Sequence, residues 1–380
     1  MTLPEPREDR ARYIMIGGFL GAGKTTAMAR LARRFTDRGQ RVGLISNDQS
    51  SGLVDTALLR SKGFPVEEIP GGCFCCRFNS LVEAADNLDR TTRPDVFVAE
   101  PVGSCTDLVA TVSYPLRRIY GQRFEVAPMS VLVDPVRAAR VLGIEKGPQF
   151  SGKVIYVYRK QLEEADIIVV NKCDSITEAF REKLVATLQV AFPRAKVVCV
   201  SAKEGSGLDA WFDLIDRSRP GDAPSMELDY DLYAEGEALL GWLNCTVRLD
   251  SDSSFDANQT LLWLARDLRT RLSAKSAEIA HLKMTLDSGD GTGSLSVVSI
   301  VRNDSEPDLR ESLMDRVRGG SLILNLRAEA DPEFLLDSVR QSLASLGGGI
   351  RSTVEHSEHF RPARPQPIHR MSGPDEGTVS

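Results

Sequence analysis

A short apolar run at 12–17, ArgTyrIleMetIleGly, leads directly into GlyPheLeuGlyAlaGlyLysThr at 18–25, and apolar residues then recur with helical spacing to about Phe35. Strand, glycine-rich loop and helix in that order are the context that a phosphate-binding P-loop requires. Gly18, Gly21 and Gly23, with Ala22 between them, let the backbone curl so that its amides and the helix N-terminus surround phosphate oxygens. Lys24 is expected at the β- and γ-phosphates, the Thr25 hydroxyl on Mg²⁺, and Thr26 beside them. The competing reading is a glycine-rich turn that holds nothing.

Further apolar runs at 42–46, 96–99, 130–133, 167–170 and 197–200 alternate with stretches of helical periodicity. This alternation predicts an α/β fold, a doubly wound parallel sheet with ligands at the carboxyl ends of its strands. One run ends in Glu100, followed by ProValGly, which places Glu100 to hold the Mg²⁺ water shell or orient an attacking water, and Gly103 to meet the γ-phosphate through its amide. Glu100 as a cap of the next helix is the alternative. Another run ends in Asn171, Lys172, Cys173 and Asp174. A carboxylate at Asp174 accepts two hydrogen bonds from the Watson–Crick edge of guanine, whereas adenine would leave it unpaired. With Ser201, Ala202 and Lys203 ending the next strand as a second base-contacting loop, GTP and GDP are the expected nucleotides. Lys24, Thr25 and Glu100, with Asp48, form the expected catalytic set for GTP hydrolysis.

Between these motifs, GlyGlyCysPheCysCys at 71–76 packs Cys73, Cys75 and Cys76 into four positions. The polar, proline-bearing N-terminus has no apolar leader and no run is long enough for a membrane span, so the chain is expected to be cytoplasmic. In a reducing compartment seven cysteines argue against a disulfide framework. Three thiolates this close can supply most of a tetrahedral shell for Zn²⁺, with Co²⁺ as a substitute. If the segment is extended, Cys73 and Cys75 share a face and a turn brings in Cys76. Packing thiols and a redox pair are the other readings. Cys105, Cys173, Cys199 and Cys245 lie singly near apolar strands and are assigned to packing. A net charge of −6 offers no overall basic footprint for nucleic acid or anionic lipid.

Taken in order, GlyGlyPheLeuGlyAlaGlyLysThrThr, AsnAsp at 47–48, GlyGlyCysPheCysCys, GluProValGly and AsnLysCysAsp resemble the motif series of CobW-type GTPases over about residues 12–215. This SIMIBI-class family of zinc-linked metallochaperones and metalloenzyme activators is related to the urease and hydrogenase accessory GTPases. The resemblance implies a G domain that binds a divalent metal near its nucleotide and uses GTP to control transfer to a client metalloprotein. Relatives carry a glutamate-rich switch after the second strand; here 47–56 reads AsnAspGlnSerSerGlyLeuValAspThr, leaving Asp48 and Asp55 as its carboxylates for a metal. Phe19 stands where some dimeric relatives place a catalytic lysine, so hydrolysis is expected to be slow unless a partner, a metal or a second copy of the chain supplies charge. Arg77 is a candidate by proximity alone.

The expected organisation is a polar extension at 1–11, a GTPase domain at 12–218, a linker at 219–234, a ferredoxin-like α+β domain at 235–346 and a flexible tail at 347–380. The second domain reads as strand 242–250, helix 256–273, strands 279–286 and 294–301, helix 307–317, strand 321–328 and a final helix 331–345, with one sheet face left over for a client, a second subunit or the G domain. It does not closely match the usual C-terminal domain of the family. The tail holds His356, His359 and His369; the first two, at i and i+3, would share a helical face able to relay metal, or are incidental. Three functions remain open: a metal chaperone, a scaffold with structural zinc that proofreads a client's cofactor loading, and a thiol redox sensor.

Overall fold

The computed structural model describes residues 10–47, 54–222, 224–291 and 293–373, so the expectation attached to Asp48 lies outside the described residues. The first half of the chain builds a sheet from β1 (Ala11–Gly18), β2 (Val42–Asn47), β3 (Val66–Ile69), β4 (Val96–Glu100), β5 (Phe124–Val126), β6 (Ser130–Val133), β7 (Ile167–Val170) and β8 (Lys196–Cys199). Its order is β3-β2-β4-β1-β6-β7-β8, with β5 paired to β1. The pairings are parallel. Helices cover both faces, which is why the strands are apolar almost throughout rather than alternating. Ile14 and Ile16 of β1 pack with Met28 and Leu31 of the helix Lys24–Asp37. Tyr13 and Met15 point the other way, towards Leu81 and Leu88 of the helix Phe78–Thr91.

The second half forms an antiparallel sheet of β9 (Leu240–Phe255), β10 (Glu278–Asp287), β11 (Leu295–Ile300), β12 (Asp308–Glu311), β13 (Val317–Glu329) and β14 (Arg351–Phe360), in the order β12-β11-β10-β13-β9-β14. The ferredoxin-like order is carried by β9, β10, β13 and β14, with the β11–β12 hairpin added at one edge. This corrects the sequence reading twice. The expected helix at 307–317 is the short strand β12 and a loop. Leu309 and Leu313 have helical spacing, but each reaches the core without a helix, and both Leu313 N and Leu313 O are held by the Asn258 side chain. The expected flexible tail contains β14, the edge strand along residues 242–250 of β9. Its side chains are mostly exposed and polar, as edge strands tend to be, so only its backbone reveals it. In a strand, His356 and His359 do not share the helical face expected of them; His359 Nε2 lies 2.9 Å from Glu333 Oε1 instead. The expected linker already includes the start of the helix Tyr230–Ala238, where a Cβ at Gly236 would stand 2.5 Å from Lys153 O.

The helices Ala257–Ser273 and Pro332–Ala344 cover one face of this second sheet. Its other face rests on the first domain, and Leu240, Trp242 and Ala280 belong to the first domain's core cluster. Buried Arg137 donates to Ile279 O at 3.1 Å, and Asp134 accepts from Lys172 at 3.0 Å and from Arg302 at 2.7 Å. Burial alone would raise the Asp134 carboxyl, but Lys172, Arg302 and Arg137 outweigh it and hold the group below the usual carboxylate range. Removing one partner of such a buried cluster typically costs about 3–5 kcal/mol, so the docking is specific as well as apolar.

Candidate functional site

The loops after β1 and β4 open into one cavity lined by Leu20, Gly21, Gly23, Lys24, Thr25 and Thr26 together with Glu100 and Gly103. Gly18, Gly21 and Gly23 all adopt positive φ, and a Cβ at Gly23 would meet Asn171 Nδ2 at 2.4 Å, so the loop curls only with glycine there. Lys24 Nζ donates to Gly18 O at 2.9 Å and stands 3.8 Å from Glu100 Oε1. Thr25 donates its hydroxyl to Glu100 Oε2 at 2.9 Å. Asp55, in the helix Val54–Ser61, completes this group. Burial alone would raise Asp55, but Lys283 and the Thr25 hydroxyl outweigh it and hold its carboxyl low; burial lifts Glu100. Two carboxylates and a hydroxyl around one point, beside a lysine, form a donor set suited to a hard divalent cation and a phosphate.

The motifs expected to contact the base arrive from β7 and β8. Asn171 donates to Ala22 O at 2.8 Å and accepts from Ala202 N at 3.0 Å, locking the P-loop to both loops. Lys172, in the left-handed region, donates to Gly21 O at 2.7 Å. Ser201 Oγ accepts from Glu204 N at 3.0 Å, while Asp174 and Lys203 are exposed. Phe19 is buried against Phe150 and Tyr158.

Sequence reasoning missed the cavity's opposite wall, which belongs to the second domain: His281 and Lys283 of β10, Ser299 of β11, Val301 just after that strand, and Arg310 of β12. Arg310 donates to Thr26 Oγ1 at 3.1 Å, and Lys283 pairs with Asp55. His281 is buried with no hydrogen-bond partner for Nδ1 among the described residues, and burial, with Lys283 and Arg327 nearby, pushes its pKa well below the ordinary histidine value. The available signal was alternation: 281 and 283 put polar groups on the β10 face opposite Leu282, Met284 and Leu286.

The three clustered thiols converge through a turn, not an extended segment. Cys76 N and Arg77 N both donate to Cys73 O, at 3.1 and 2.9 Å, leading into the helix Phe78–Thr91. The Sγ atoms of Cys73 and Cys75 are 2.8 Å apart, those of Cys73 and Cys76 3.2 Å, and those of Cys75 and Cys76 3.7 Å. Tetrahedral zinc with Zn–S of about 2.3 Å needs sulfurs about 3.8 Å apart, so a small spreading of the triangle accommodates the ion. Cys105 packs in the hydrophobic core as expected and lies outside this group of three, but it is near enough to act on it: with Cys75 and Cys76 it favours the Cys73 thiolate, which is depressed well below the ordinary thiol value. Cys75 is pushed well up by its hydrogen bond with Cys73, and Cys76 up to about 11 for the same reason. Beyond β14 the chain crosses the thiols: Gln366 N lies 3.1 Å from Cys76 Sγ, Ile368 N donates to Cys75 O at 3.0 Å, and His369 stands edge-on to Phe78 at 5.0 Å. Arg77 instead donates to Gly71 O.

Two side chains tie the thiols to the phosphate cavity. Asn47 lines the cavity and donates to Ile69 O at 2.9 Å and Gly72 O at 2.7 Å. Buried Gln161 donates to Gly103 O at 2.9 Å and Cys105 O at 2.8 Å, bracing the loop that serves both sites.

No described helix is long and apolar enough to cross a membrane. The zinc chaperone YeiR of Escherichia coli (strain K12) is 31% identical over 176 residues, 46% of this chain and 50% of that protein. The zinc chaperone CobW of Sinorhizobium sp is 29% identical over 197 residues, 46% of this chain and 54% of that one, and the zinc-regulated GTPase metalloprotein activator 1 of Dictyostelium discoideum 22% over 213 residues, 48% and 44%. The chain thus spans about half the length of the curated relatives it matches. The model of the CobW/HypB/UreG nucleotide-binding domain matches residues 12–199, and that segment of the chain is a domain of the CobW/HypB/UreG family.

Proposed function

We propose that the protein is a GTP-binding, slowly GTP-hydrolysing metal chaperone or activator that takes zinc, or a similar divalent ion, at Cys73, Cys75 and Cys76 and delivers it, or a cofactor, to a client protein. Zinc is here the cargo. GTP lies along the P-loop with its phosphates at Lys24 and Thr26 and its guanine between Asp174 and the Ser201–Ala202–Lys203 loop. Mg²⁺, held by Thr25, Glu100 and Asp55, would neutralise phosphate charge. The names of the relatives, two zinc chaperones and a zinc-regulated GTPase activator, support this reading. The observation that carries it is the pair of short links, Asn47 to Gly72 and Gln161 to both Gly103 and Cys105, that connect the phosphate cavity to the thiols. A change at the phosphates must then shift the thiols or strain buried hydrogen bonds.

One observation favours a second reading, a GTPase scaffold with structural zinc. Cys105 acts on Cys73 from just outside the group of three, and its approach would make up four sulfurs, the composition of closed structural sites. A competitive Zn²⁺ titration with Mg²⁺ and a non-hydrolysable GTP analogue, repeated with Mg²⁺ and GDP and with Cys75→Ala as control, separates the two. The chaperone requires at least a tenfold affinity difference, about 1.4 kcal/mol of coupling. Equal affinities, with Cys75→Ala losing fold stability, would assign the cysteines to structure.

A further inference from the structure

We propose that Lys283, from the second domain, is the charge that the P-loop lacks: it contacts the terminal phosphate of bound GTP, exchanging Asp55 for it, and supports hydrolysis in cis. The proposal rests on the GTPase reading above.

The geometry is that of a residue delivered across a domain boundary. Lys283 lies on the β10 face turned away from the domain's own helices and lines the cavity with Lys24, Thr25 and Glu100. Its side chain is only 18% exposed, and its partner Asp55 only 19%. The neighbouring chain is fixed: Arg137 and Arg302 clamp the second domain to the first, and Asn325 Oδ1 accepts from Val54 N at 2.9 Å, seating the first turn of the Asp55 helix on the same sheet face. Lys283 therefore reaches the cavity on a rigid strand.

Asp55 has two competing attractions. Its carboxylate pairs with Lys283 and lies by the Thr25 hydroxyl, which also bonds Glu100. When Asp55 turns to a cation held with Thr25 and Glu100, Lys283 loses its anion in a largely enclosed space, and an unpaired cation there is costly. The terminal phosphate of GTP supplies the replacement; GDP does not. His281 does not compete, because it is held neutral with Nδ1 unsatisfied among the described residues. In the hydrolysis step the oxygen of water bonds to the γ-phosphorus while the bond to the β,γ-bridging oxygen breaks. Its electron pair stays on GDP, and the water proton leaves with phosphate. Lys283 neutralises negative charge on the equatorial oxygens, and removing one such preorganised donor costs about 10²–10³ in rate.

The test uses the full chain. Affinities for fluorescent GDP and a non-hydrolysable GTP analogue, and single-turnover GTP hydrolysis, are measured for wild type, Lys283→Met and Lys283→Arg, with thermal melting of each. The expected result is that Lys283→Met leaves GDP affinity within about threefold but loses at least about tenfold for the GTP analogue and about 10² in hydrolysis, while Lys283→Arg keeps most of both. Equal losses for both nucleotides alongside a lowered melting temperature would reduce Lys283 to a structural clamp and overturn the proposal. So would an unchanged GTP/GDP ratio and rate. Wild type that binds neither nucleotide would instead overturn the GTPase reading itself.

Discussion

The phosphate cavity and the thiol cluster are built alike and closed differently. In each, a contiguous motif supplies donors from one loop: Lys24 and Thr25 after β1, and Cys73, Cys75 and Cys76 after β3. In each, a distant segment supplies the cover. Over the phosphates the cover is a strand, whose Lys283 and His281 stand on a sheet clamped by Arg137 and Arg302. Over the thiols it is irregular chain after β14, held by Ile368 N on Cys75 O, by Arg370 on Asp107 at 2.8 Å and by Met371 N on Ala110 O. Irregular chain fixed by a few bonds opens at lower cost than a strand inside a sheet. The P-loop cavity therefore lies under a rigid roof and the thiols under a removable one, although both roofs belong to the same C-terminal unit.

Lys24→Ala gives the largest effect expected of this asymmetry. It removes the P-loop cation and should lower GTP affinity by about 10²-fold or more, while zinc affinity of the nucleotide-free protein changes by less than about twofold. Equilibrium binding of each ligand checks this, and a parallel fall in both would mean the sites do not act separately. Cys105→Ala comes next. Removing a buried thiol that favours the Cys73 thiolate should weaken zinc by about 10–100-fold in a competitive titration and leave GTP affinity unchanged. Unchanged zinc affinity would define a three-thiol site with an open position, the more transferable arrangement.

What the sequence disclosed follows from the same division. P-loop, AsnLysCysAsp and the cysteine triplet were legible because each is a run of neighbours whose chemistry is complete within a few residues. The pairing of Lys283 with Asp55 and the influence of Cys105 on Cys73 were not, because each joins residues far apart along the chain. The parallel sheet was readable from apolar runs buried on both faces. The edge strand β14 was not, since its contribution to the sheet is backbone hydrogen bonding and its exposed, charged side chains read as a solvated tail. Leu309 and Leu313 misled in the opposite sense: helical spacing satisfied by a strand and an Asn258-pinned loop.

The smallest expected effect is the most informative about how the two sites communicate. Gln161→Met keeps the volume of a buried side chain but removes the two donors that brace Gly103 and Cys105. Each carbonyl left unsatisfied costs about 1–3 kcal/mol, so a lower melting temperature is expected, yet no ligand to phosphate or metal is lost. Each ligand should therefore still bind alone, with affinity changed by less than about threefold. What should disappear is the dependence of one on the other: the ratio of zinc affinities between the GTP-analogue and GDP states should shrink by about fivefold, the lower end of ordinary coupling energies. Asn47→Ala cuts the second link, between the cavity and Gly72, and the double variant tests whether the two act in parallel. If the ratio survives both substitutions, the loops do not carry the coupling.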